Sequence, residues 1–280
     1  MSARTDWPLG CQARPWLQTL GREGIVERLP EVLRAIATCG LVGFETALNV
    51  LPLDRPDDFR AARDAAGGIA LSGAHAGGAW WSPESASTID ALLAEVRKLP
   101  ALGGERLVVT MQPPPAGFDA ATIERAVANL RQLGRGCREA GVALAFHDHA
   151  AELADDARFI DALVAGCAPD EVALGTDLGW VAYAGVDPAA FVRRYAAHIG
   201  YLHIRDLAML DGQPHFTEVG RGTLDQRAIF GALDAIGYRG WVVAESEFNE
   251  KWGGLDELRA TATAQFTDLR ETLSVWRATR

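Results

Sequence analysis

Short strand-like runs alternate with helical runs along the chain eight times, and this alternation limits the fold more than any other feature. The strand-like runs are Leu9–Gln12, Leu41–Thr46, Ile69–His75, Leu107–Met111, 141–147, 172–177, 201–205 and 241–245. Between them, apolar residues return at helical spacing over about 22–38, 56–66, 82–99, 119–139, 154–165, 187–197 and 225–236, and a last helix is expected over 254–276. Pro30 should break or kink the first of these helices, and Ser82-Pro83-Glu84 reads as an N-cap with proline at the first helical position. Residues 207–223 read as a long glycine-containing loop. Parallel strands joined by crossover helices must be covered on both faces, and eight of them close most naturally into a (β/α)8 TIM barrel, which needs about 250 residues. A doubly wound open sheet is less well supported, because no G-x-G-x-x-G follows the first strand. No linker or shift in composition divides the chain, so one domain over residues 1–280 is expected.

The strands share a second pattern. In the fifth, Val142, Leu144 and Phe146 alternate with Ala143, Ala145 and His147, and His149 continues the second set. Asp177 follows Ala173 and Gly175, His203 opposes Leu202 and Ile204, and Glu245 shares a face with Val243. The bulky set would face the helices and the small set the barrel interior. Glu45, His75, His147, Asp177, His203 and Glu245 then stand near the C-terminal ends of six different strands, with Glu152 just past the fifth. That rim is where barrel enzymes hold their chemistry. A lone rim histidine is more often a hydrogen-bonded packing residue than a ligand. Convergence of so many titratable groups is hard to explain by packing alone. Glutamate, aspartate and histidine together suit a hard or borderline divalent ion.

Arg205 could face a substrate oxygen or pair with a carboxylate, and Asp206 could orient a ligand. Trp80, Trp81 and Trp180 follow strands, where a sugar could stack, although ordinary rim packing, or an oligomer contact for Trp80 and Trp81, is the simpler account.

The formal charge of −10 and pI near 5.1 argue against nucleic-acid or anionic-membrane partners, but not against a small anionic substrate. Cys11, Cys39, Cys137 and Cys167 are scattered without a C-x-x-C pair, as expected for reduced thiols in the cytoplasm. No secretory h-region opens the sequence, and no apolar run reaches the roughly 18 residues of a membrane span.

The segments F-H-D-H-A-A-E, G-T-D-L-G-W-V-A-Y-A-G-V-D-P, Y-L-H-I-R-D, T-E-V-G-R-G-T-L-D and W-V-V-A-E-S-E resemble the xylose isomerase-like TIM-barrel superfamily. That group includes sugar phosphate isomerases and epimerases, inosose dehydratases and AP endonucleases. The likeness is best over residues 141–248 and is collinear but weaker over 9–112. It implies one divalent metal ion, Mn²⁺ first, with Mg²⁺, Co²⁺ or Zn²⁺ as alternatives, on Glu152, Asp177, His203 and Glu245. It also implies catalysis by Glu152 and Glu245, with His75, His147, His149, Arg205 and Trp180 around the substrate. Arginine at 205 stands where many relatives carry lysine.

The implied reaction begins when a carboxylate removes the proton beside a metal-held carbonyl, giving a cis-enediolate. Returning the proton to the other carbon isomerises a keto-sugar or related polyol, and returning it from the other face epimerises it. Loss of a β-oxygen instead makes the enzyme a lyase, an inosose-type dehydratase or a 3-keto-glycoside eliminating enzyme. Isomerase or epimerase is the leading expectation and lyase the alternative. An AP endonuclease would need extra histidines for a three-zinc cluster, and Trp180 occupies the place of the first. A non-catalytic barrel would bind no metal. The expected partner is a small sugar or polyol, with no nucleic acid and no membrane, and self-association is left open.

Overall fold

The computed structural model describes residues 7–245 and 255–279. Its strands are β1 (Leu9–Gln12), β2 (Gly43–Ala47), β3 (Ala70–Gly78), β4 (Arg106–Met111), β5 (Ala143–Phe146), β6 (Ala173–Asp177), β7 (Ile199–Ile204), β8 (Asp206–Leu210), β9 (Gln213–Thr217) and β10 (Val242–Ala244). Eight of them close a parallel barrel in the order β1-β10-β7-β6-β5-β4-β3-β2, the expected (β/α)8 fold. The helices are α1 (Arg14–Glu27), α2 (Leu29–Thr38), α3 (Pro56–Ala65), α4 (Ser85–Val96), α5 (Ala120–Glu139), α6 (Ala150–Gly166), α7 (Leu178–Tyr183), α8 (Pro188–Arg194), α9 (Gln226–Ala235) and α10 (Leu255–Ala278).

Local sequence explains several boundaries. Asp119 and Thr122 form a reciprocal capping box at α5, with the Thr122 N–H donating to Asp119 Oδ1 at 2.7 Å. Asp187 caps α8 ahead of Pro188. Pro30 separates α1 from α2 and lies in the first turn of α2, where its missing N–H costs no hydrogen bond. Two boundaries differ from expectation. α4 begins at Ser85 with Glu84 at the N-cap, because Ser82 instead accepts the Glu84 N–H within the preceding turn. The segment 207–223 is not all loop. It contains the β8–β9 hairpin, turned at Asp211-Gly212, where both residues have positive φ. An Asp-Gly pair between strand-like runs is the sequence signal for that turn.

The core has two compartments. The large one lies between barrel and helices, where Leu107, Val109, Leu144, Phe146, Leu202 and Ile204 pack outward. The smaller fills the barrel with Val108, Ala145, Tyr201 and Val243, and Trp241 packs against it. The small residues make this possible. A Cβ at Gly43 would overlap the Trp241 ring, and one at Gly73 would lie 3.1 Å from the Tyr201 hydroxyl. Tyr201 is therefore an interior filler, hydrogen-bonded to Ser72 Oγ at 3.0 Å. Strand register then stacks the polar ends at one level, with Asp177 beside His203 and His203 beside Val243.

Candidate metal centre

The centre is built on His203, which β7 delivers fully buried at the barrel mouth. Its Nδ1 lies 2.7 Å from Glu245 Oε2 and its Nε2 lies 2.7 Å from Glu45 Oε2. Burial alone would push its pKa down. The charge of Glu45 and the hydrogen bonds to both carboxylates outweigh that and hold it well above the ordinary histidine value. The two carboxylates respond in kind. Burial would raise the Glu45 carboxyl, but the charge of His203 brings it below the usual range. Burial would also raise Glu245, but Arg205 and His203 hold it well below. Gln12 Nε2 donates to the other Glu45 oxygen at 3.1 Å, so Glu45 is fixed from both sides.

His147, Asp177, His203 and Glu245 converge, each offering one ligand atom, with all four atoms within 4.8 Å of one another and all four residues buried. His147 is placed by the residues that define its strand: it continues the inner face of Ala143 and Ala145, and its N–H donates to the Val109 carbonyl at 2.8 Å. Its Nδ1 is buried without a hydrogen-bond partner. Burial, reinforced by the charge of His203, depresses its pKa well below the ordinary value. A neutral imidazole with an unused nitrogen is a ligand-ready group. Asp177 caps α7, with Oδ1 accepting the N–H groups of Gly179 at 2.8 Å and Trp180 at 3.2 Å, while Oδ2 accepts from Arg205. Two carboxylates and two imidazoles suit the charge of a divalent ion, and His147 brings a buried nitrogen with no hydrogen-bond partner. The donor set fits such an ion.

Glu152 is not part of this group. It lies in the first turn of α6, fully buried, with Oε2 accepting the His149 N–H at 2.9 Å. Its other oxygen has no partner, and burial pushes its pKa up to about 7. The chain just beyond it is unusual: Asp155, Asp156 and Ala157 all have left-handed φ, so the first turn is set apart from the body of α6. Of the four residues expected to hold metal, the structure thus gathers Asp177, His203 and Glu245, together with His147, and sets Glu152 apart.

A pocket of about 250 Å³ opens above the centre, lined by Gln12, Arg14, His75, His147, His149 and Glu245 among others. The three histidines expected around the substrate therefore line it, with the His147 ring 4.5 Å from His203, 4.9 Å from His149 and 6.4 Å from His75. Arg205 and Trp180 do not line it. Arg205 is buried, pairs with Asp177, and lies 3.7 Å from Glu245. Its guanidinium sits 3.8 Å from the Phe216 ring centroid on β9 and 5.3 Å from that of Trp180. Trp180 packs edge-on against His149, at 5.4 Å between centroids. The carboxylate-pairing alternative for Arg205 is the one the geometry matches. Trp80 is wholly buried, with its indole N–H on the Thr110 carbonyl at 2.8 Å, and the Trp81 N–H reaches the Gln112 carbonyl at 2.7 Å. Among the described residues, Asp206 orients no member of the centre. It gathers the loop ahead of α9 by accepting from Leu207, Gly220, Leu224 and Gln226.

Sequence reasoning gave His147 a pocket role and left Gln12 and Arg14 unread. The inner-face periodicity of β5 carried the signal for His147, because it puts His147, not Glu152, in line with the other strand ends. Arg14 Nη1 reaches Glu245 Oε1 at 3.3 Å.

Residues 33–268 match the family described as Xylose isomerase-like TIM barrel. Among proteins with known roles, the chain is 33% identical to the inosose dehydratase of Geobacillus kaustophilus over 141 residues, which is 44% of this chain and 45% of that protein. The chain thus spans under half the length of that relative. Among solved structures, it superposes on L-ribulose 3-epimerase with a TM-score of 0.73 at 18% identity, covering 98% of this chain and 95% of that one. It superposes on the Methylomonas sp. D-allulose 3-epimerase in complex with D-allulose with a TM-score of 0.72 at 17% identity, covering 98% of each chain. Likeness at these identities is likeness of fold.

Proposed function

Because the chain belongs to the xylose isomerase-like TIM-barrel family, we propose that it is a divalent-metal-dependent enzyme that removes the proton beside the carbonyl of a keto-sugar or related polyol, and that a β-oxygen then leaves, making it a carbon–oxygen lyase. The observation that carries this reading is the disposition of the carboxylates. Among the described residues, Glu245 is the acidic side chain that lines the pocket, while Glu152 is held on the first turn of α6. Epimerisation by two opposed carboxylates needs a second one facing the substrate. Elimination needs one base and one proton donor. The partial likeness to an inosose dehydratase supports the same direction.

His147, Asp177, His203 and Glu245 would hold the metal. Two nitrogen donors favour Mn²⁺, Co²⁺ or Zn²⁺ over Mg²⁺. A bound divalent ion supplies Lewis-acid polarisation of a carbonyl and its neighbouring hydroxyl. Glu45 holds Nε2 of His203, so that Nδ1 is the nitrogen turned toward Glu245 and the group. Arg205 neutralises Asp177 and Glu245 from behind, on the side away from the pocket. Arg14 steadies Glu245 Oε1 within it. Glu245 is the carboxylate positioned to take the α-proton. His75 and His149, both held toward the neutral form by burial, can hydrogen-bond a departing oxygen, and the proton that this oxygen takes up is the one Glu245 removed, so that the elimination balances. The buried, unpaired cysteines suit a reducing compartment, which supports a cytoplasmic location. No described helix is long and apolar enough to cross a membrane.

Isomerisation or epimerisation is the second reading. It uses the same first step and is favoured by the near-complete superposition on two sugar epimerases. One experiment separates the two. The metal-reconstituted protein is incubated with 2-keto-myo-inositol and, separately, with D-allulose, both in deuterated water. Elimination predicts a product lighter by one water from the inosose. Deuterium incorporation with inversion of the ketose and no dehydration would establish the epimerase instead.

A further inference from the structure

Arg205 lies in a slot that three other elements build around it. On one side is the start of α7, where a Cβ on Gly179 would come within 2.5 Å of Arg205 Cγ and 3.1 Å of its Nε, so glycine there leaves the room. On a second side, Asp177 accepts from Nη2, and Glu245 Oε1 lies 3.7 Å from Nη1. The third side is the Phe216 ring, with its centroid 3.8 Å from the guanidinium carbon. Strand register puts the ring there. β8 begins at Asp206, and Leu207 pairs with Phe216 across the hairpin. Asp206 ties down the hairpin base by accepting the N–H groups of Leu207, Gly220 and Leu224. Trp180 at 4.7 Å and Tyr183 at 5.7 Å between centroids hold the ring from α7.

A buried guanidinium needs compensation on its flat faces as well as along its N–H edge. The carboxylates take the edge. A phenyl ring covers a face, attracts the cation through its quadrupole, and offers no acceptor that would draw the N–H groups away from the carboxylates. It also keeps water off that face, which strengthens the ion pairs behind it. The planar fork of arginine suits such a slot, whereas the compact ammonium of lysine could not stack and reach two carboxylates together. We propose that Phe216 is a positioning residue of the metal centre: the β8–β9 hairpin presses its ring onto Arg205 and so holds the cation against Asp177 and Glu245, two of the four side chains that would bind the ion. The proposal rests on the metal-centre reading and extends it to a residue that neither lines the pocket nor belongs to the ligand set.

The test titrates Co²⁺ into the metal-stripped full chain, followed by calorimetry and by the visible d–d absorption that reports ligand geometry. Phe216→Leu keeps an apolar side chain and removes the ring. It should lower Co²⁺ affinity about tenfold, the low end of the loss for groups that orient metal ligands, and shift the d–d bands. Phe216→Tyr keeps the ring on a half-buried position and should stay within about twofold of wild type with the same spectrum. In an Arg205→Met background, Phe216→Leu should have no further effect, because the ring acts through the guanidinium. Leucine binding Co²⁺ as well as phenylalanine, tyrosine binding as poorly as leucine, or an equal loss in the Arg205→Met background would overturn the positioning role. Should Arg205→Met not fold, the contrast between leucine and tyrosine decides it. No Co²⁺ uptake by the wild type would retire the metal centre and this role together, whereas wild-type uptake untouched by Phe216→Leu would retire the role alone.

Discussion

Glu152→Gln distinguishes the tertiary arrangement from the family expectation most sharply. Glu152 is wholly buried, and its carboxyl is pushed from the ordinary 4.5 up to about 7, chiefly by burial, with its bond to the His149 N–H opposing the shift. The folded state therefore holds this proton more tightly than the unfolded chain does. For an acid raised in this way, the stability it contributes is present below pH 4.5 and lost as pH rises toward and past 7. At 1.36 kcal/mol per unit, the loss across that window is about 3 kcal/mol. A glutamine keeps the carbonyl oxygen that accepts from His149 and cannot ionise. The variant should match the wild type near pH 4.5 and be more stable by about 3 kcal/mol at pH 8, read as the difference in urea midpoints multiplied by a common slope. Metal content, measured on the same samples, should be unchanged. If Glu152 is instead a ligand, the variant gains no stability at pH 8 and loses its metal. Either result would refute the argument from burial.

The centre itself gives two further expectations. His147→Ala should lower divalent-metal affinity by at least about 100-fold, by titration calorimetry with Mn²⁺ and Co²⁺, and unchanged affinity would remove His147 from the ligand set. Glu45→Gln should lower it by about 10–100-fold, because Glu45 fixes the orientation of His203, and should leave the fold intact by circular dichroism. Gly134→Ala tests packing in α5. Helix propensity would favour alanine by about 1 kcal/mol, yet a Cβ there would overlap the Glu171 carbonyl oxygen. Net destabilisation of about 1–3 kcal/mol in urea unfolding is expected, and a stabilised variant would show that the α5 packing can give way.

The eight-fold alternation, the inner-face periodicity and the capping residues are local properties of the sequence. They determined the barrel, because a period of two or 3.6 residues decides which face is apolar whatever else the chain does. They also identified the titratable strand-end groups Glu45, His75, His147, Asp177, His203 and Glu245, though not Gln12 at the end of β1. The hairpin at Asp211-Gly212 was equally local and was readable from its turn pair. Which of these groups share a centre was not local. His203 and Glu45 are 158 residues apart, and Arg205 reaches Asp177 and Glu245 only because β6, β7 and β10 close side by side. Glu152 shows the same limit. Its spacing from His149 fits a ligand run and a helix cap equally well, and the left-handed turn at 155–157 leaves it on the first turn of α6, bound to a backbone N–H. The sequence determined which side chains could face inward. Only barrel closure decided which oxygens and nitrogens meet, because ligand geometry depends on distances of a few ångströms between strands that are remote in the chain.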